Sequence, residues 1–296
     1  MTLPADAAVA AAGAGAVTVS TRSRRQAYER HQRRRATFIA TSSTIAVVGL
    51  VVWLIPKTSG WQRVRETFFS WPDYTNAFFK LLRPFWFDVK IFLFCAPCII
   101  VLGLLIATAR NIRTPALFPV RLAATLYTDI VRGVPVILWI TLLGFGVPGL
   151  LQTREWYGKL VIWGAAALII TYSAYVAEVF RAGIESVHES QRAAARSLGL
   201  SSGQTMRSVV LPQAVRRVVP PLMNDMVSLQ KDVALISVLG PVGALRRAET
   251  IKNLTFNFTP YVAAATLFLC VSIPLTRLTD QLLQRERRRT SATAVR

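Results

Sequence analysis

Six charged residues sit where charge is costly, within or at the ends of long apolar runs: Asp129, Arg132, Glu178, Arg181, Lys231 and Asp232. In a bilayer such groups face a partner charge or a water-filled cavity, so the chemistry they suggest is ionic: a gate or a solute pathway. Asp129 and Arg132, and again Glu178 and Arg181, are three apart, the spacing of side-chain pairs on one helix face. A structural ion pair explains Glu178 and Arg181 as simply as transport does. Lys231 and Asp232 are adjacent and point to different sides of a helix. Catalytic constellations are missing from the sequence. There is no G-x-x-x-x-G-K-[ST] phosphate loop, no G-x-S-x-G elbow, and His31 and His188 lack metal-ligand spacing. Cys95-Ala-Pro-Cys98 has redox spacing, but a redox thiol needs exposure and a lowered pKa, and these cysteines fall at lipid depth.

The elements that must position those charges are membrane helices. The chain has 296 residues, 53% of them hydrophobic and only 17% charged, with a mean hydropathy of +0.41. Runs at 36–55, 91–109, 133–153, 160–177 and 253–276 each approach the roughly 20 residues that a helix needs to cross a bilayer. A sixth run, 218–245, is broken by Gly240-Pro241-Val242-Gly243, irregular backbone that lipid tolerates only beside protein or water. The net charge of +20 is distributed, not clustered. Residues 1–35, 110–132, 181–217 and 277–296 hold 7, 4, 6 and 6 Lys and Arg, 23 in all, against 11 in the alternating segments. That asymmetry predicts a multi-pass protein with both termini cytoplasmic, and it argues against a nucleic-acid partner. Residues 1–35 read as a disordered basic tail and 36–56 as a retained anchor helix. Residues 57–87 form an extracytoplasmic segment whose Trp61, Trp71, Tyr74, Phe85 and Trp86 suit a membrane interface, and 284–296 form a basic tail.

Between two apolar runs lies a polar stretch, 186–212, with the end signals of two short helices. Ser186 with Glu189, and Ser201 with Gln204, have capping-box spacing. Gly199 sits where a left-handed cap is wanted, and Pro212 marks a change of direction. The result is a compact knob. It carries Arg192, Arg196 and Arg207 on the cytoplasmic side, with Arg181, Arg216 and Arg217 at its flanks. Its Ala193-Ala194-Ala195 triplet allows another protein to approach closely.

The register of Ala194-Ala195, Gly199 and Val209-Val210-Leu211-Pro212 resembles the EAA loop of ABC importer permeases. Ala193 stands where that motif usually has glutamate, and Ser190 where glycine usually precedes Gln191. Tyr127-x-Asp129-x-x-Arg132-Gly133-x-Pro135, Tyr175-x-Ala177-Glu178-x-x-Arg181-x-Gly183 and Lys231-Asp232 are similar to signatures of the polar amino-acid branch. Trp139 replaces a frequent glutamine there. Over 88–283 the resemblance implies an all-α, type I importer transmembrane fold; with the anchor, the chain has about six helices. It further implies a second permease, ATPase subunits that bear ATP and Mg²⁺, and an extracytoplasmic binding protein. Gln191, Ala193, Ala194, Ala195, Arg196, Gly199, Leu211 and Pro212 would couple to the ATPase. The knob arginines would contact it. No cofactor is implied on this chain. A permease for another solute, such as methionine or phosphonate, and an ion-driven secondary transporter remain open alternatives.

Overall fold

The computed structural model describes residues 32, 35–112, 114–152, 159–241 and 243–294, with side chains to 284. The expected tail at 1–35 falls almost wholly outside these residues. No strand occurs among them. The chain divides into units 1–66 and 67–296.

In the first unit, helix α1 (Arg35–Lys57) is apolar enough to cross a membrane. Its few hydroxyls are satisfied locally: Ser43 and Thr44 donate to the Ala40 carbonyl at 3.0 and 2.7 Å. That is the arrangement lipid demands of a polar side chain. Helix α2 (Trp61–Phe68) follows and runs across the boundary between the units.

The second unit begins with α3 (Trp71–Arg110). Its 40 residues span about 60 Å, twice the hydrocarbon thickness, so the apolar run at 91–109 is only its second half. Helices α4 (Phe118–Gly133) and α5 (Val136–Leu151) meet at a 105° bend. Pro135 causes it, because proline forces the preceding residue, Val134, into extended backbone. Helix α6 (Leu160–Glu185) is central and the most buried of the apolar spans. Small residues along it allow close approach, as at Gly103 of α3, where a Cβ would lie 2.5 Å from Val176 Cγ1.

The polar stretch supplies α7 (Glu189–Ser197) and α8 (Ser202–Thr205). Then come a π turn, Met206–Val210, and α9 (Leu211–Asp232). Pro212 therefore does not turn the chain. The wide π turn ahead of it absorbs the missing N–H, and helix continues. Helix α9 carries too many charges to count as an apolar span and packs against α6 and α11 instead. The 3-10 segment Val233–Leu239 ends at Gly240, whose φ of +102° fits the expected break. Helix α10 (Ala244–Thr255) leads to α11 (Thr259–Ala294). By length and composition, four helices among the described residues can cross a membrane, or five with the bent α4–α5 pair.

The main core joins α3, α5, α6, α9 and the 3-10 segment through Ile99, Ile140, Leu168, Val176, Leu229 and Ile236, all nearly inaccessible. A second cluster packs α3, α10 and α11 through Leu81, Ala248, Ala263 and Leu267. Buried Asp88 of α3 joins these layers: its Oδ2 accepts the Ala244 N–H, the first of α10, at 2.8 Å. Gly243 makes that approach possible, since a Cβ there would lie 2.3 Å from Asp88 Oδ1.

Candidate functional site

The knob is fastened to the end of α6 by arginine. Arg192 Nη2 donates to the Ile184 carbonyl at 2.6 Å, and Arg217 donates to the Ser186 carbonyl. Both satisfy C-terminal carbonyls that a helix end leaves unpaired, with the charge sign that the helix dipole favours there. Ser186 is thus the last residue of the α6 end, not the first of α7 as its spacing with Glu189 predicts. His188 caps α7, its Nδ1 accepting the Ser190 N–H at 3.2 Å. The second capping box is as predicted: Ser201 Oγ accepts the Gln204 N–H, and Gln204 Oε1 accepts the Ser201 N–H at 2.8 Å.

Gly199 forms the elbow with φ of +83°. The Gly199 N–H donates to Arg196 O at 2.9 Å and the Leu200 N–H to Ala195 O at 3.2 Å. This pair of bonds is a Schellman motif, and it closes α7 by satisfying its last carbonyls. Ala195 faces inward with Val187, Thr205 and Val210. Gln191, Ala193, Ala194, Arg196, Leu211 and Pro212 are exposed. Leu198 is 83% exposed at the elbow, an apolar side chain with nothing of its own chain over it. The arginines are divided in role. Arg181, Arg192 and Arg217 are engaged within the chain, and Arg196 pairs with Glu189 at 2.8 Å. Arg207 and Arg216 are exposed.

Just above the knob, four charged side chains from three helices converge. Glu178 of α6 pairs with Arg110 of α3 at 2.9 Å, Arg132 of α4 at 3.6 Å, and Arg181 one turn along α6. The expected Asp129–Arg132 pair is absent: Asp129 is exposed, and Arg132 turns across to Glu178, where a second helix brings a better-shielded carboxylate. An open cavity of about 360 Å³ adjoins the cluster, lined in part by Arg132, Tyr175, Glu178, Arg217 and Asp225. Asp225 Oδ2 is buried and has no hydrogen-bond partner among the described residues. Lys231 and Asp232 separate as their adjacency requires. Lys231 is exposed, while Asp232 accepts the Tyr172 hydroxyl at 2.8 Å. Trp139 donates from Nε1 to the Val131 carbonyl at 3.1 Å across the bend, so the residue in place of glutamine serves the α4–α5 joint.

Arg110, Tyr172 and Asp225 escaped the sequence reading. Arg110 looks like a terminal anchor, and its partner is 68 positions away. Asp225 carried a usable signal, an acid inside the apolar half of the 218–245 run.

Residues 99–288 match the family model described as binding-protein-dependent transport system inner membrane component. A putative glutamine transport system permease protein of Rickettsia felis is 34% identical over 176 residues, 59% of this chain and 78% of that protein. A probable amino-acid ABC transporter permease protein of Sinorhizobium fredii is 37% identical over 187 residues, 61% of this chain and 77% of the relative. A crystal structure of an amino acid ABC transporter with histidines superposes with a TM-score of 0.64 at 30% identity. That likeness covers 74% of this chain and 98% of the solved one.

Proposed function

Since the chain belongs to the inner membrane components of binding-protein-dependent transport systems, we propose that it is the permease subunit of an ATP-driven importer of polar amino acids. The observation that carries this reading is the knob: a Schellman-closed helix pair presenting Ala193, Ala194 and Leu198, anchored rigidly to α6 and continuous with α9. A push on such a knob moves two pathway helices together. ATP and Mg²⁺ belong to a separate ATPase chain, because this sequence lacks a phosphate loop. A second permease completes the pathway, and an extracytoplasmic protein delivers the solute. Both termini lie in the cytoplasm, as the distribution of Lys and Arg favours. The relatives named for glutamine and amino acids, and the solved transporter with histidines, support the solute class. Arg132 and Glu178, beside the cavity, are assigned to the inner gate.

Affinity purification of the tagged protein in mild detergent, with mass spectrometry of the retained chains, tests the assembly. An ATPase bearing a Walker sequence is expected, and its absence across several detergents from a monodisperse sample would remove the coupling role. Competition by glutamine, histidine and arginine for uptake then tests the solute class.

The motif position without glutamate gives a milder prediction. Ala193 is exposed on α7, and a glutamate there lies three residues before Arg196. Ala193→Glu is expected to change knob stability by less than about 0.5 kcal/mol and to leave uptake close to wild type. A large loss of uptake with normal ATPase capture would mean that the partner surface rejects an acid there.

A further inference from the structure

Far from the knob, α3 and α10 leave an open cavity of about 630 Å³, into which Lys80, Arg83, Lys90 and Arg247 face with Trp86 and Phe87. These α3 positions are 20–30 residues before Arg110, the end that pairs with Glu178. The cavity therefore lies about 30–45 Å along the helix from the gate cluster, toward the opposite membrane face. Residues 80, 83, 87 and 90 share one side of the helix. No carboxylate lines the cavity. Of the nearby acids, Asp88 holds the Ala244 N–H and Glu249 pairs with Arg246, while Asp73 accepts from Asn257 and lines a neighbouring cavity with Lys80 and Arg247 without an ion pair to either. None of the four cations has an ion-pair partner among the described residues. Four converging cations without a paired carboxylate repel one another and invite an anion.

The helix below the cavity says which anion. Lys90 stands at the edge of the 91–109 apolar run, and Trp86, exposed one turn away, has the amphipathic ring typical of the headgroup level. The same side of α3 continues through Phe94, Val101 and Leu105, each about 60% exposed. A protein's acidic surface would use the cations alone. A lipid uses both, its headgroup in the cationic cavity and its acyl chain along the apolar stripe that continues it. We propose that this cavity binds the phosphate headgroup of an anionic phospholipid from the leaflet opposite the knob, its acyl chain lying along Phe94, Val101 and Leu105.

The full chain, reconstituted with equal amounts of phosphatidylglycerol and phosphatidylcholine and released for native mass spectrometry, gives the test. Wild type is expected to retain phosphatidylglycerol at least about tenfold over phosphatidylcholine. Arg83→Gln with Arg247→Gln is expected to bring the two near parity, each lost cation weakening headgroup attraction about fivefold. Arg65→Gln with Lys252→Gln removes the same charge outside the cavity, leaves the Arg246–Glu249 pair intact, and is expected to keep the preference. Equal loss in both double variants would reduce the effect to bulk charge and overturn the site. Complete displacement of the lipid by inorganic phosphate would make it a free-anion site and overturn the lipid assignment. A cavity variant that keeps its lipid preference but loses capture of an extracytoplasmic protein would reassign the surface to protein docking.

Discussion

Gly199→Val is expected to abolish most uptake while the protein still reaches the membrane in normal amount. The reason lies in the backbone. Gly199 holds φ of +83°, and apart from its chain neighbours no atom lies within 4 Å of where its Cβ would be, so the added Cβ strikes nothing. What it does is oppose the left-handed conformation, at a cost of about 1–2 kcal/mol, more for a β-branched residue. Relief of that strain requires breaking the two bonds from Gly199 and Leu200 that close α7. Helix α8 then loses its angle to α7, and Ala193, Ala194 and Leu198 no longer present one surface. If coupling runs through that surface, about 1–2 kcal/mol of misalignment lowers coupled turnover roughly tenfold. Gly199→Asn separates the causes, since asparagine visits this conformation routinely; it is expected to recover most uptake. Gly203 also has open space around it but lies inside α8, so Gly203→Ala serves as a nearby control with little effect. Uptake by Gly199→Val at the wild-type rate, for equal protein in the membrane, would remove the elbow from the coupling path.

What was legible in the sequence was local. The elbow at Gly199, the Ser201–Gln204 box and the break at Gly240 each depend on residues within a few positions, and all three are present. The failures share one cause, a partner far along the chain. Ser186 has a good capping-box partner in Glu189, but Arg217, 31 positions on, takes its carbonyl for the α6 end, and His188 inherits the cap. Arg132 has Asp129 at helical spacing, but Glu178 across the helix interface draws it away. Nothing near Asp88 announces that it caps a helix 156 residues later. Hydropathy located five of the six runs but not their ends, because α3 stays helical for twenty residues before its apolar run. The 218–245 run falls largely on α9, whose Arg216, Arg217, Asp225, Lys231 and Asp232 keep it from being an apolar span. The family motifs carried the functional reading because they record such distant constraints in short strings.

Those distant constraints meet at Glu178, whose replacement by glutamine is expected to have the largest effect on stability. One carboxylate there neutralises three guanidinium groups: Arg110 at 2.9 Å, Arg132 at 3.6 Å and the adjacent Arg181. Glu178→Gln keeps the size and some hydrogen bonding but leaves three like charges converging. Arg110 suffers most, since its side chain is 13% exposed and has little water to turn to. Breaking a fully buried pair costs about 3–5 kcal/mol. Here Glu178 is 21% exposed and Arg132 40%, so solvent screens part of the repulsion. A loss of about 2 kcal/mol is the appropriate expectation, read as a lowered unfolding midpoint of the detergent-purified protein. Adding Arg110→Gln to Glu178→Gln removes the cation least able to reach water, and the double variant is expected to be more stable than Glu178→Gln alone. High salt should narrow the difference by screening the exposed guanidinium groups first. Transport separates packing from gating. A structural cluster predicts uptake per folded molecule near wild type. A gate predicts excess ATP hydrolysis without uptake, because Arg132, freed from Glu178, no longer holds α4 to α6 beside the cavity. No change in the midpoint would mean that the arginines disperse into water and that α3, α4 and α6 are held by apolar packing alone.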